Sequence, residues 1–300
     1  MKFAGIIAEY DPFHNGHAWQ LAQAKALGAE RVAVAMSCSL VQRGALPLLP
    51  EAVRTRSALT CGADLVFALP APCACAGAEA FARAGVALLA AAGCDGLVFG
   101  AETPDAALLM EAAELLDSGS YRAALKAQLA GGARSFAAAR QAAAAQLASD
   151  ERVAALLDKP NNNLAVEYCR AIRSLAPRME AYPLPRQGAN HGEALHSAHG
   201  QFASASALRK LWAEGGADAV APYVPEAVFP LYQEAYAAGQ YTDFSAAGRC
   251  ELALLRSACR GKAPFADIRG VSEGLEHRLE AAVRTSTTYD ELLDALTTVR

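Results

Sequence analysis

The 300-residue chain has no CxxC pair, no long apolar run and no excess of positive charge. Each absence excludes a class of protein. Eight cysteines in this length are too dilute for a disulfide-built scaffold. Cys73 and Cys75 form a CxC without a second half, and the other six stand alone, so the spacing of a structural zinc site is missing. Reduced thiols in a cytoplasmic protein without a metal site are the expectation. The apolar run at 3–8 is broken at once by Glu9, Asp11 and His14, too early for a signal-peptide core. The Ala/Leu-rich stretch at 85–93 falls far short of the ~20 residues a membrane helix requires. A net charge of −4 and a pI near 5.9 provide no bulk attraction for nucleic acid or an anionic membrane. Any RNA contact must come from a local patch.

What is present is core material. The chain is 53% hydrophobic and 19% charged, enough for one large domain or two modest ones. Apolar runs at 3–8, 31–36, 64–69 and 97–99 read as strands, alternating with helical patterns at 16–27, 50–61 and 76–92. Short buried strands separated by helices require a parallel sheet covered on both faces. The expected fold is α/β, a doubly wound parallel sheet with ligands beyond the carboxyl ends of the strands. Residues 105–174 read as helical, and the run AAARQAAAAQLA at 137–148 reads as a helix because Ala is the best helix former. A fifth strand is expected at 180–184, and a helix starting near Ser204 or Ser206. The chain then divides into a nucleotide-binding domain at 1–210, with a helical insertion at about 105–175, and a helical C-terminal domain at 211–300.

Two constellations carry chemistry. The first strand runs into Glu9-Tyr10-Asp11-Pro12-Phe13-His14-Asn15-Gly16-His17, so two histidines flank Asn-Gly where a strand gives way to a helix. A helix N-terminus with free N–H groups favours anions, and Gly16 lets a phosphate come close to the backbone. Imidazoles there can stabilise charge developing on phosphorus without acting as nucleophiles. The second constellation is Phe202-Ala203-Ser204-Ala205-Ser206-Ala207-Leu208-Arg209, two hydroxyls and an arginine on the first turn of a helix. By itself it is also a plain Ser N-cap with a surface arginine. Together, an HxGH loop and a Ser…Arg helix start form the two sides of a nucleotidyl-transfer site.

These segments resemble the HIGH-type nucleotidyltransferases, and more closely the tRNA(Met) cytidine acetate ligase family. The matching pieces are GIIAEYDPFHNGH (5–17), MSCSLVQRG (36–44), ADLVFALP (63–70), DGLVFGAE (95–102), KPNNNLAVEY (159–168), PRQGANHGE (185–193), FASASALR (202–209) and EGLEHR (273–278). They are colinear and span almost the whole chain. The resemblance implies a ligase that activates acetate with ATP as acetyl-adenylate and acetylates N4 of the wobble cytidine of elongator tRNA(Met), with Mg²⁺ on the phosphates. An adenylyltransferase for another small acid or phosphate acceptor is the alternative, as is a nucleotide- or RNA-binding protein without catalysis.

Carried onto this chain, the resemblance implies that Ile7, Ala8, Glu9, Tyr10, Asp11, Pro12, Phe13, His14, Asn15, Gly16, His17 and Gln20 wrap ATP. It adds Gly100, Asn162 and Arg186 as nucleotide contacts. Arg186 follows a strand signal and offers a forked donor set. For the Asn triplet, Asn161 or Asn163 as a helix N-cap is the competing reading. Ser204 and Ser206 join the nucleotide site, and Arg209 joins His14 and His17 in catalysis. Gln42 and Arg43, after the second strand, are expected to help hold acetate or the acyl phosphate. Asp11 stands where the family usually has Asn, Cys38-Ser39 where it has Gly-Asn, Ala165 where it has Gly, and Glu51 near a usual Lys. Asp11 is thus expected to add negative charge beside the triphosphate. Family members also continue past the position of Arg300 into a basic helical segment, a plausible tRNA-binding element. In its place Arg249, Arg256 and Arg260, at i, i+7 and i+11, are expected to form a stripe along one helix face that could follow a phosphate backbone, or simply a solvated face.

Overall fold

The computed structural model describes residues 1–42, 44–132, 135–186, 195–197, 200–261, 264–268, 271 and 274–297. The chain divides into two compact units, Met1–Tyr241 and Thr242–Arg300.

The first unit is built on five parallel strands: β1 (Phe3–Ala8), β2 (Arg31–Ser37), β3 (Leu65–Leu69), β4 (Gly96–Ala101) and β5 (Glu180–Pro185). Their spatial order is β3-β2-β1-β4-β5, with Ile6 opposite Val34 and Gly5 opposite Leu97. The doubly wound fold expected from the apolar runs is the fold observed. Period-two alternation decides which layer each residue feeds. In β2, Ala33 and Ala35 enter one core, whereas Val32, Val34 and Met36 enter the other. Each fully buried Val, Ile or Leu contributes on the order of 1.5–3 kcal/mol relative to exposure.

Helices α4 (Ala78–Ala91), α5 (Ala106–Asp117) and α9 (Pro160–Leu175) supply the first core. Helices α1 (Asn15–Ala26), α2 (Glu51–Thr60), α10 (Ala205–Val220) and α11 (Phe229–Ala237) supply the second. α4 lies tightly on β1 because Gly85 leaves room: a Cβ there would stand 2.5 Å from Ile7 Cδ1. Between α5 and α9 run α6 (Gly119–Ala130), α7 (Phe136–Leu147) and α8 (Glu151–Leu156). The Ala-rich segment is therefore helical, its Ala139, Ala143 and Ala144 face buried. Residues 160–175, assigned by sequence to the insertion, instead form α9, which covers the sheet.

Three features were not read from the sequence. A short helix α3 (Ala71–Ala74) follows β3, and an antiparallel pair, β6 (Leu195–Ser197) and β7 (Gly200–Phe202), precedes α10. Residues 211–241, which the sequence assigned to the C-terminal part, belong to the first unit. The reason is packing: Trp212, Val220, Tyr232 and Ala235 are buried in the same core as β1 and β2.

The second unit holds α12 (Phe244–Ala258), α13 (Leu275–Thr285) and α14 (Tyr289–Leu296) around Leu252, Cys259, Phe265, Val283 and Leu292. Here the expected arginine stripe does not form. α12 ends at Ala258, so Arg260 lies in the following turn and off the helix face. Arg256 donates through Nε to the Val283 carbonyl at 3.2 Å and through Nη2 to the Ser286 carbonyl, closing the end of α13. Arg249 bonds Ser245 Oγ at 2.7 Å. Arg256, although exposed, is a cap on orphan helix carbonyls. No helix among the described residues is long and apolar enough to cross a membrane.

Candidate active site

The strand order reverses between β1 and β4, so the loops leaving these strands diverge and open a crevice. The β1–α1 turn fills one side. Tyr10 takes a left-handed φ of 51°, and the Asp11–Pro12 peptide is cis. Tyr10 is buried with its ring edge on Phe13 (4.9 Å) and His17 (4.8 Å). His14 is the N-cap of α1, where its Nδ1 accepts from the Gly16 N–H at 3.0 Å. His17 Nδ1 in turn accepts from the His14 N–H at 3.3 Å. The two histidines thus build a capping box, a role normally filled by a hydroxyl and a carboxylate.

Two consequences follow. With both Nδ1 atoms accepting, the hydrogen-bond pattern assigns the proton of each neutral ring to Nε2. The rings stack with centroids 3.8 Å apart. Burial, with Arg186 nearby, pushes His14 down to about 4, and burial with His14 and Arg186 holds His17 well below its ordinary value. Both are neutral donors at pH 7. Gly16 is required by the same packing: a Cβ there would come within 2.9 Å of His14 Cε1.

The crevice encloses about 270 Å³ and is walled by His14, Gly16, His17 and Gln20 of α1, Gly100 of β4, Arg186 after β5, and Ala203, Ser204 and Ala205 at the start of α10. Ser204 caps α10 by accepting from the Ala207 N–H at 3.2 Å, and its Oγ lies 3.1 Å from Ser206 Oγ. Two helix N-termini and one arginine therefore border one cleft, which suits a polyanion. Ile7, Phe99, Leu164, Leu184 and Tyr168 line it with apolar surface.

Comparisons with known proteins bear on the family and the fold. The HIGH Nucleotidyl Transferase family model matches residues 1–300. A tRNA(Met) cytidine acetate ligase of Syntrophotalea carbinolica is 37% identical over 299 residues, 99% of this chain and 70% of that protein. This chain belongs to the tRNA(Met) cytidine acetate ligase family of HIGH nucleotidyl transferases. The Acetivibrio thermocellus ligase is 33% identical over 311 residues, covering all of this chain and 74% of its own. Thermotoga maritima TmcAL without ligand superposes with a TM-score of 0.91 at 30% identity, over all of this chain and 72% of that one. The same protein bound with alpha-thio ATP superposes with a TM-score of 0.89 at 29% identity, over all of this chain and 71% of that one.

Within the HIGH loop, Ile7, His14, Gly16, His17 and Gln20 reach the cleft, as do Gly100, Arg186 and Ser204. Ala8, Glu9, Tyr10, Asp11, Pro12, Phe13, Asn15 and Ser206 do not line it. Asp11 departs from the expectation of a charge beside the triphosphate. Only 4% exposed, its carboxylate accepts from the Leu48 N–H at 2.6 Å and from Arg209 Nη1 at 3.0 Å. Arg209 Nη1 also donates to the Asp11 carbonyl at 2.8 Å. Arg209, expected to be catalytic, instead fastens α10 to the HIGH loop and does not line the cleft.

Asn162 is likewise displaced from its expected role. Only 1% exposed, it accepts from the Thr103 N–H at 2.9 Å and donates to Thr103 Oγ1 at 3.1 Å. Asn161 lines the cleft instead. Lys159 is the N-cap of α9 and Pro160 its first residue, so neither Asn161 nor Asn163 caps the helix. The cap comes from Glu102, whose carboxylate accepts from the N–H groups of Asn161 (3.2 Å) and Asn162 (2.7 Å). Gln42 does not line the cleft; its N–H donates to Glu9 Oε1 at 2.5 Å. Arg43 lies outside the described residues.

Arg54 is the largest omission of the sequence reading. It is fully buried in α2 and donates to the carbonyls of Leu49 (3.0 Å), Glu9 (2.7 Å), Ser37 (2.7 Å) and Cys38. It staples the ends of β1 and β2 together.

Proposed function

We propose that the chain is an ATP-dependent acetate ligase that forms acetyl-adenylate and passes the acetyl group to N4 of the wobble cytidine of elongator tRNA(Met). The observation that carries this reading is a pair of histidines, each with Nδ1 bonded to a backbone N–H of the α1 start, beside two helix N-termini at one cleft. The relatives' names and the relative bound with alpha-thio ATP support the substrates. ATP lies in the cleft with its phosphates on the starts of α1 and α10. An acetate oxygen attacks the α-phosphorus in line, and the bond to the bridging oxygen breaks as pyrophosphate leaves with the electron pair. His14 and His17 donate from Nε2 to the phosphate oxygens, Arg186 adds a fixed positive charge, and Ser204 holds the α10 end in place. Cytidine N4 then attacks the acetyl carbonyl, loses a proton and releases AMP. No side chain acts as a nucleophile.

Among the described residues Mg²⁺ finds no protein cage. Among the described residues no cluster of three or more His, Cys, Asp or Glu side chains could hold a metal. Asp11 is committed to Leu48 and Arg209, and Glu102 to the start of α9. A magnesium ion would ride on the nucleotide's own phosphates.

The test is incubation with ATP, labelled acetate and a tRNA pool, followed by nucleoside mass analysis. Labelled acetylcytidine is the expected product. Pyrophosphate release only with another acid would move the reading to a different adenylyltransferase, and tight ATP binding without turnover would remove catalysis.

A further inference from the structure

One polar group in the cleft is used by nothing described so far. Tyr168 lies on α9 and is 4% exposed, its ring 5.4 Å from that of Phe99 and tilted by 55°. It lines the cleft, yet its hydroxyl has no hydrogen-bond partner among the described residues. A phenol at that depth normally finds one. The orphan Tyr10 hydroxyl and Trp212 indole N–H are different, since both are sealed in the core and neither residue lines the cleft. Burial and the nearby Glu9 charge raise the Tyr168 pKa, so the group remains a donor at neutral pH. Glu9 also accepts from Gln42, which brings the phenol and the β2–α2 loop to the same end of β1.

Part of the cleft wall is apolar. Ile7 and Leu164 line the cleft with Tyr168. Ile7 is clamped from behind, because its Cδ1 fills the space that a Cβ at Gly85 would occupy.

We propose that Tyr168 selects the acid: its hydroxyl donates to one oxygen of a small carboxylate whose alkyl group rests on Ile7 and Leu164. This inference rests on the acetate-ligase reading and names what sets its substrate. One bonded oxygen leaves the other free to attack the α-phosphorus. The methyl of acetate meets an apolar wall, and the clamped Ile7 cannot retreat for a longer chain. One methylene in such a pocket changes selectivity by roughly tenfold or more.

The test uses Tyr168→Phe, which keeps the ring and removes the hydroxyl, and Ile7→Val, which removes one methyl. ATP affinity is measured by calorimetry, and turnover by pyrophosphate release with acetate and with propionate. Tyr168→Phe is expected to raise the acetate KM about tenfold or more while ATP affinity stays within about twofold. Ile7→Val is expected to raise the propionate-to-acetate ratio of kcat/KM by roughly fivefold. An unchanged acetate KM in Tyr168→Phe overturns the assignment, and so does a loss of ATP affinity that matches the rise in KM. If the wild type ignores acetate but turns over with another acid whose KM rises in Tyr168→Phe, the role of Tyr168 stands and the acetate reading falls.

Discussion

His14 and His17 hold one another at the start of α1: each Nδ1 accepts a backbone N–H of the same turn, and the rings stack 3.8 Å apart. The pair stays neutral because protonation would break these bonds and bury charge. His14 is held down to about 4, against about 6.5 for an unfolded histidine. The unfolded chain therefore binds the proton first as pH falls. Stability is full above pH 6.5 and declines toward pH 4, by on the order of 3 kcal/mol for this residue. Urea unfolding at pH 7.5 and 5.0 checks this. The wild type should lose more stability over that interval than His14→Gln, and equal losses would contradict the pairing.

Gly16→Ala is expected to damage binding more than folding. The added methyl would sit 2.9 Å from His14 Cε1 and displace the ring, although alanine suits a helix start. ATP affinity should fall about tenfold or more, with a stability loss of about 1 kcal/mol. Calorimetric titration and a thermal melt separate the two.

Asp11 and Arg209 form a partly buried pair whose partners have second bonds. Asp11→Asn retains an acceptor for the Leu48 N–H and leaves Arg209 on the Asp11 carbonyl, so a cost of about 1 kcal/mol is expected. Asp11→Ala orphans the Leu48 N–H as well and should cost about 2–3 kcal/mol. Equal denaturation midpoints for the two variants would show that the Leu48 bond contributes nothing.

Arg256→Ala should destabilise the full chain by about 1–2 kcal/mol through the lost bonds to Val283 and Ser286. It should leave the dependence of tRNA binding on salt concentration unchanged. A slope reduced by about one would return Arg256 to a phosphate contact.

Apolar periodicity made the five strands legible, and HNGH between a strand and a helix marked the side of the sheet that carries the site. Hydrogen-bond choices inside the turns were not legible. Three consecutive asparagines look alike in sequence, and only Pro160 as the first residue of α9 puts Asn161 at the cleft and Asn162 behind it. Arg54 reads like the nearby exposed Arg56, because burial of an arginine depends on carbonyls contributed from β1, β2 and the loop before α2. Asp11 looked like a free charge since its partners, Leu48 and Arg209, are distant in the chain. Tyr168 sits in an ordinary amphipathic helix, and only the fold shows that it lines the cleft.

The central claim is acetate activation at the histidine pair. It is tested most directly by pyrophosphate release from ATP, with and without acetate and in the absence of RNA, for wild type and His17→Ala. Wild-type release should require acetate, and His17→Ala should lose it by about 100-fold or more with little change in melting temperature. Release that is indifferent to acetate, or unchanged in a folded His17→Ala, would contradict the account.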